Sequence, residues 1–420
     1  MGTDVRNPAD RRRYPSRWPM RRGKELFREI DERSPDGSEE LLSVSHITGI
    51  TPRSEKNVTM FQSESLVGYK ICRRNDIAAN TMWTWQGAIG VSAYDGVISP
   101  SYNVYRQRQD FYNPRYLDFL LREPALVDVY YSLSTGIRPS RRRLYPEEFL
   151  TIRFPLPKRE EQDRIVNFLA DKSAEIDKVV SVRQKQIDEL EELKKAIVHR
   201  AVTRGIRETG GRVSSRAENG AAVESGGRVS SRAETPQEWR RLWTAALPNG
   251  WKIGRVKNVA IISNGCDPKT DGDIPVYGSG ECHFKTCGEY KEGPVVLLGR
   301  KGSINIPRYV EGRYWNVDTA FDVHMRCENC LRWFYYLATD FDYDFYSSRT
   351  TVPSMTQTDY GNMSIPLPPL PVQREIVAYL DEKCAAIDGA IANKRKSIEE
   401  LTALKSRIIA DAVTGRMEVE

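Results

Sequence analysis

Arg138, Arg141, Arg142 and Arg143 set four guanidinium groups into one short stretch of chain. Guanidinium forks match phosphate oxygens in geometry and charge, so such a cluster suits a polyanion. The chain also opens on a basic stretch: residues 1–24 hold eight Arg or Lys against Asp4 and Asp10. A solvated loop and a solvated tail would carry the same residues. Charge alone therefore leaves nucleic acid and plain solvation equally open.

Other arrangements have the look of catalysis and fail on context. Asn113-Pro114-Arg115-Tyr116 is similar to the Asn-Pro-Pro-Tyr loop of amino-methyltransferases, but its third residue is Arg and no glycine-rich cofactor loop lies upstream. It reads as the entry to a helix. Glu192-Leu193-Lys194 has the spacing of a nuclease acid-lysine pair, yet it falls inside a heptad pattern with no strand beside it. No GxxxxGK[ST] phosphate loop is present, so ATP hydrolysis is not expected. Cys327 and Cys330, with Cys282, Cys287, His283 and His324 upstream, offer the ligand types of structural zinc. Their spacing is loose, and reduced, partly buried thiols are the expectation instead. None of the four histidines stands beside a candidate nucleophile. The chain is expected to be non-catalytic, with no metal site.

Residues of these kinds need elements to hold them, and the clearest element is a repeat. Residues 155–203 return at 366–414 without a gap, and 21 of the 49 pairs are identical. Retained pairs include Gln162/Gln373, Ile176/Ile387, Asp177/Asp388, Leu190/Leu401 and Thr203/Thr414. Each copy follows a Pro-Leu-Pro lead, which stops a preceding strand from running into the helix. Each copy ends on a nearby glycine, Gly205 or Gly415, suited to a helix stop.

Between lead and stop, the apolar residues repeat with period 3.5. One arm shows Leu169, Ile176, Ile187, Leu190 and Ile197 on its seam; the other shows Leu380, Ile387, Ile398, Leu401 and Ile408. Long cations interrupt both seams at matching places, Arg183/Lys394 and Lys194/Lys405, which favours one register over others. Arms of this length would span ~63 Å as helices. Two similar arms in one chain most simply pair with each other, antiparallel.

The blocks between the arms complete the organisation. Residues 1–16 read as a basic, disordered extension. Residues 17–153 form a mixed α/β module, with strand-like runs at Leu41–Val44, Gly96–Ile98 and Tyr102–Tyr105 and a helical stretch near Tyr116–Arg122. The first arm occupies 154–205. Residues 206–247 read as a flexible linker in which GGRVSSRAE occurs twice, at 210–218 and 226–234. A second mixed module covers 248–365 and the second arm 366–416. Gly87-Ala88-Ile89, Tyr94, Gly96 and Val104 find an echo in Gly302-Ser303-Ile304, Tyr309, Gly312 and Val323, so the modules are expected to share a fold.

At 420 residues, two or three domains are expected, and 40% apolar content is enough for real cores. No apolar run approaches the ~20 residues of a membrane span. The N-terminus has arginines without an apolar h-region. Seven cysteines, an odd number, fit a reducing compartment better than a disulfide framework. The expectation is a soluble, cytoplasmic protein with no membrane partner.

A globular module, a Pro-Leu-Pro lead, a long helix closing on Ala-Val-Thr, and all of this repeated once, resembles the specificity subunit of type I restriction-modification systems. Trp85–Gly90 and Gly96–Tyr102 in the first module support the resemblance, as do Gly299–Ser303 and Thr351–Met355 in the second. The basic extension and the duplicated linker depart from the family's pattern. The resemblance implies an α+β fold class: two mixed α/β target-recognition domains separated by two long α-helices forming an antiparallel intramolecular coiled coil. It implies that each module reads half of a split site in double-stranded DNA. The helices would act as spacer and as platform for two modification (methyltransferase) subunits, joined by restriction (translocase and nuclease) subunits. S-adenosylmethionine, ATP and Mg would then sit on those partners, and this chain would hold no cofactor.

DNA contacts are expected from loops rich in Arg, Lys, Asn, Gln, Ser and aromatics. In the first module these are Trp83, Trp85, Gln86 and Tyr102, with Arg138, Arg141, Arg142 and Arg143. In the second they are Arg300, Lys301, Ser303, Asn305 and Asn316, with Arg349 and Thr350. Two rivals remain: a coiled-coil scaffold without a DNA role, and a self-contained methyltransferase or nuclease. The missing cofactor loop and catalytic acids weigh against the second.

Overall fold

The computed structural model describes residues 14–55, 65–136, 142–206, 247–326, 328–347 and 352–419. The expected linker lies outside them apart from Ile206 and Leu247. The chain divides into two compact units, one comprising residues up to Arg183 together with those from Lys396, the other Gln184–Arg395. Each unit thus holds one module and parts of both arms.

In the first unit the chain enters at Tyr14, which is buried in the module's core. The expectation of disorder through residue 16 is corrected for Tyr14–Ser16. Tyr14 brings an aromatic ring that the core can bury, and the Trp18 N–H closes a turn on the Pro15 carbonyl at 2.9 Å. Strand Met20–Arg22 then pairs antiparallel with Arg153–Pro155, the strand that runs directly into the first arm. A four-stranded antiparallel sheet follows in the order Phe27–Ile30, Asn103–Gln107, Ile77–Ala79, Ile89–Val91. The strands expected at Leu41–Val44 and Gly96–Ile98 are Leu42–Ser45 and Gly96–Ile98. The expected helix runs Pro114–Leu121, starting early because Asn113 Oδ1 accepts the Arg115 N–H at 2.9 Å and Pro114 suits the first turn. Asn-Pro-Arg-Tyr is a helix cap.

The second unit repeats this construction. Pro248 and Trp251 form the same turn at 3.1 Å, and strand Lys252–Arg255 pairs antiparallel with Ser364–Leu367, which leads into the second arm. One of its two four-stranded sheets runs Ala260–Asn264, Ala320–Met325, Val295–Gly299, Arg308–Val310, again antiparallel throughout; the other, Lys285–Cys287, Ile274–Tyr277, Arg313–Asn316, Lys291–Glu292, contains one parallel pair. Helix Leu331–Thr339 stands where Pro114–Leu121 stands in the first module. The weak echo between the modules in sequence is a shared topology in structure.

The arms are the helices Arg159–Arg204 and Leu370–Val413, of 46 and 44 residues. Each is fused to its module rather than appended. The first unit's core takes Ile165, Val166 and Leu169 from the start of one arm and Ala412 and Val413 from the end of the other. The second unit's core takes Ile376, Leu380 and Cys384 from one start and Val198, Ala201 and Val202 from the other end. The mixed α/β modules with two long paired helices bear out the expected fold class.

A buried glutamine welds each module to its arm. Gln162, fully buried, accepts the Asn113 N–H at 2.7 Å and donates to the carbonyls of Pro157 at 2.9 Å and Phe111 at 3.3 Å. Gln373 accepts the Cys330 N–H at 2.8 Å and donates to the Pro368 carbonyl at 2.9 Å and to Asn329 Oδ1 at 3.0 Å. Both amides fix the first turn of the arm against the first turn of the module's helix.

The arms pair antiparallel within each unit. In the first, Lys405 binds Asp177 at 2.7 Å; in the second, Lys194 binds Asp388 at 2.7 Å and Lys394 donates to Gln186 at 2.7 Å. Leu169, Ile176, Ile187, Leu380 and Ile387 are buried on the seam, while Leu190, Ile197, Ile398, Leu401 and Ile408 are half-buried. Partly exposed ion pairs contribute only about 0–1 kcal/mol each, so their effect is on register more than on stability. No helix among the described residues is long and apolar enough to cross a membrane.

Two outcomes are expected. Gln162→Leu or Gln373→Leu leaves a buried N–H and carbonyls unmatched, and should lower unfolding stability by about 1–3 kcal/mol in urea titrations. The second concerns His199, whose Nδ1 lies 2.9 Å from Asp340 Oδ2; that hydrogen bond raises its pKa. A raised folded pKa means stability is fully present below the unfolded value, ~6.5, and is lost as pH rises through the folded one. The imidazole is well exposed, so the effect is small. Denaturation midpoints should fall slightly from pH 6 to pH 9, and His199→Gln should remove that component.

Candidate nucleic-acid interface

One loop organises the first module's candidate residues. Strand Ile77–Ala79 ends at Asn80, a buried residue that ties the whole turn. Its carbonyl accepts the N–H groups of Trp83 at 2.8 Å and Thr84 at 2.7 Å, and the Thr84 hydroxyl at 2.6 Å. Its side chain accepts the Met82 N–H at 3.2 Å and donates to Tyr102 Oη at 2.8 Å. Burial pushes the Tyr102 phenol pKa up. A 3-10 turn over Thr84–Gln86 closes on Gly87 at φ +90°, a conformation that favours glycine.

Two neighbouring segments complete the surface. Thr81 Oγ1 donates to the Ser101 carbonyl at 2.6 Å, and the Leu144 N–H reaches the Thr81 carbonyl at 3.4 Å. Trp83, Trp85, Gln86, Tyr102, Arg142 and Arg143 therefore gather about one loop. Trp83, 45% exposed, stacks on Trp85 with centroids 6.2 Å apart and planes 16° apart. Trp85 meets Tyr131 edge-on at 5.9 Å, and the Arg142 guanidinium sits 4.1 Å above the Tyr131 ring. Arg138 and Arg141 lie outside the described residues.

Sequence reasoning missed Asn80 and Tyr131. Tyr131 could have been found: on helix Pro124–Leu133 the apolar stripe takes Leu126, Val129 and Tyr130, which leaves its neighbour facing outward. Asn80 gave no signal, because its role rests on a partner, Tyr102, that lies just before a distant strand, Asn103–Gln107.

The second module carries a loop at the same place in its sheet, built from other residues and other bonds. Arg300 follows strand Val295–Gly299; its N–H donates to the Thr319 carbonyl at 2.8 Å and its carbonyl accepts the Met355 N–H at 2.9 Å. The Gly302 N–H donates to the Pro353 carbonyl at 2.9 Å, with φ at +81°. Met355 stands two residues before helix Gln357–Asn362, as Leu144 stands two before helix Pro146–Phe149. Lys301 and Asn305 are exposed, and Ser303 and Arg300 are half-buried, with Arg300 Nη1 donating to the Asp318 carbonyl at 3.2 Å. Arg349 and Thr350 lie outside the described residues.

Asn316 is a correction. Expected on the binding face, it is fully buried, accepting from Lys291 Nζ and donating to the Ala320 carbonyl, both at 2.9 Å. Lys291 also binds buried Asp322 at 2.9 Å, and Asn316 completes that polar knot. Among the described residues no three His, Cys, Asp or Glu converge to hold a metal; Cys327 lies outside them. The Cys330 N–H is already engaged by Gln373.

Two like modules, each displaying a loop with its own set of side chains and each welded to a helical arm, define a class of duplicated two-module proteins. Residues 248–403 match the family model of the type I restriction modification DNA specificity domain, which spans the second module and most of its arm. The chain is 22% identical over 348 residues to the type I restriction enzyme MjaX specificity subunit of Methanocaldococcus jannaschii, covering 75% of this chain and 71% of that one. It is 28% identical over 141 residues to a type I restriction enzyme specificity subunit of Haemophilus influenzae, covering 31% of this chain and only 36% of that protein. A solved chain from work on complex assembly and conformational transition of the type I R-M system shares the fold, with TM-score 0.66 at 18% identity over 96% of this chain and 99% of that one. The second module and its arm thus match the type I restriction modification DNA specificity domain, and the chain as a whole is similar to specificity subunits of type I systems, as its repeated module and arm implied.

The loop geometry has a direct test. Asn80→Ala removes the side-chain bonds to Met82 and Tyr102, and should weaken the near-UV circular dichroism of the stacked tryptophans along with stability by about 1–3 kcal/mol. Asn316→Ala should cost a similar amount and leave the tryptophan signal intact.

Proposed function

We propose that this chain is the DNA-reading, non-catalytic component of a type I restriction-modification complex, each module reading one half of a bipartite target. The observation that carries this reading is the pair of equivalent loops. Each leaves the corresponding strand of its sheet and is tied by a backbone bond from the segment before a short helix, Leu144 N–H to Thr81 and Met355 N–H to Arg300, while their side chains differ: aromatics and Arg in the first module, Arg, Lys, Ser and Asn in the second. A shared frame with divergent side chains suits two half-sites of different sequence. Phosphate contacts would fall to Arg142, Arg143, Lys301 and the neighbouring Arg138, Arg141 and Arg349. Base-edge readout would fall to Gln86, Ser303, Asn305 and Thr350.

In this reading the paired arms hold the half-sites at a fixed separation and dock two modification subunits. Those partners bind S-adenosylmethionine and methylate adenine, and restriction subunits with ATP and Mg carry out translocation and cleavage. The described residues offer no constellation for such chemistry on this chain, and the recognition role asks for none.

Mapping methylated adenines in cells with and without the chain tests the reading. The expected motif has two unequal parts with a fixed, unread gap, their centres near one duplex turn, ~34–36 Å. Exchanging residues 17–153 for the equivalent module of a relative should change one part only. Arg142→Ala with Arg143→Ala should weaken binding to all duplexes alike and flatten its salt dependence by roughly 0.9 for each phosphate no longer neutralised. A continuous palindromic motif would overturn the proposal.

A further inference from the structure

We infer that Trp83 is a wedge by which the first module enters one base step of its half-site, an inference that rests on the DNA-reading role proposed above. The first observation is that an exposed indole is held rigid. The Trp83 N–H donates to the Asn80 carbonyl at 2.8 Å, and its own carbonyl accepts the N–H groups of Gln86 at 2.9 Å and Ala88 at 3.1 Å. Behind it, Trp85 is stacked at 6.2 Å and pinned in turn, its Nε1–H donating to the Met82 carbonyl at 2.8 Å. Tyr131 supports Trp85 edge-on, and Arg142 caps Tyr131, with Nη1 donating to the Tyr131 carbonyl at 3.2 Å. The result is a ladder of three rings whose two ends, Trp83 and Tyr131, are 45% and 48% exposed, with Trp83 the end that no guanidinium covers among the described residues.

A large apolar side chain kept in water on a fixed backbone gains nothing in the isolated chain. Its rigidity is of use to a partner that offers a flat apolar face, because little conformational entropy is then lost on binding. The stacked faces of nucleic-acid bases are such a surface, and indole stacks on any of them. The surroundings favour a polyanion over an apolar protein patch. Arg142 stands at the edge of the ladder, and Arg143 is the next residue. Wedge residues partly unstack a step and kink the duplex, while flanking cations hold the phosphates.

The corresponding loop of the second module, Arg300-Lys301-Gly302-Ser303, carries no aromatic ring. The wedge therefore belongs to the first half-site alone. Unstacking is easiest at pyrimidine–purine steps, so that half-site should contain one, selected by deformability rather than by base-edge contacts.

The experiment uses the full chain with its modification subunits and duplexes bearing the mapped target, 5-bromouracil being placed at successive positions of the first half-site. Wild type should photo-cross-link through Trp83 at two adjacent positions only. It should also shorten the end-to-end distance of a doubly labelled duplex. Trp83→Ala should lose both signals and bind on the order of ten- to a hundred-fold more weakly. Trp83→Phe, which keeps a flat ring, should recover part of each. Unchanged far-UV circular dichroism and urea-unfolding midpoints show that the variants are folded. Bound wild type with no cross-link to Trp83 and no shortening overturns the wedge and leaves the two-half-site reading standing. A Trp83→Ala chain that binds DNA as before but no longer retains the modification subunits also overturns it, assigning the ladder to a protein contact. Wild type that binds no duplex overturns the reading itself, and the wedge with it.

Discussion

Each recognition module depends on one amide. Gln162 and Gln373 are buried at the corner where a strand, a Pro-Leu-Pro turn, a module helix and an arm converge. A helix start leaves backbone N–H groups without intrahelical partners, and a Pro-rich lead leaves carbonyls without a strand. The glutamine supplies both kinds of partner from one side chain. A charged residue there would need a counter-ion, and an apolar one would strand the backbone groups on both sides. Whatever side chains a module's loop displays, the module's orientation on its arm is set by this hydrogen-bonded corner.

The arms have a different problem, which is to choose one register among many. Leucine and isoleucine seams tolerate slippage by a heptad, since each step presents a similar apolar surface. Lys194 and Lys405 interrupt the seam and each finds an aspartate on the opposite helix at 2.7 Å. A slipped pairing would leave a cation facing isoleucine. The pairs are too exposed to add much stability, so their contribution is a penalty on the wrong alignments. Lys394 and Gln186 act in the same sense at 2.7 Å.

The arms were the most legible part of the molecule, because two copies of one element can be compared within a single chain. Twenty-one identities across the repeat separated seam positions from the variable outer faces. Gln162/Gln373 stood out among those identities, although its partners, Asn113 and Cys330, differ in type and are engaged through their backbone. The module cores were less legible. Asn316 and Asn80 look like surface asparagines in sequence, and their burial is decided by residues distant along the chain, Lys291 and Asp322 for one and Tyr102 for the other. Tyr14 was hidden by the arginines around it. The candidate loops were found by composition, while the equivalence of the two loops needed the sheet topology.

The two lysine–aspartate pairs carry a further implication. Lys194 and Asp177 lie on one arm; their images, Lys405 and Asp388, lie on the other, and each lysine binds the image of its own arm's aspartate. An arm is thus complementary to its own sequence read in the opposite direction. A chain of one module and one arm would already contain both halves of the lock and could close on a second copy of itself. The internal repeat has the symmetry such a pair would have, and joining the copies in one chain leaves each module free to carry its own loop.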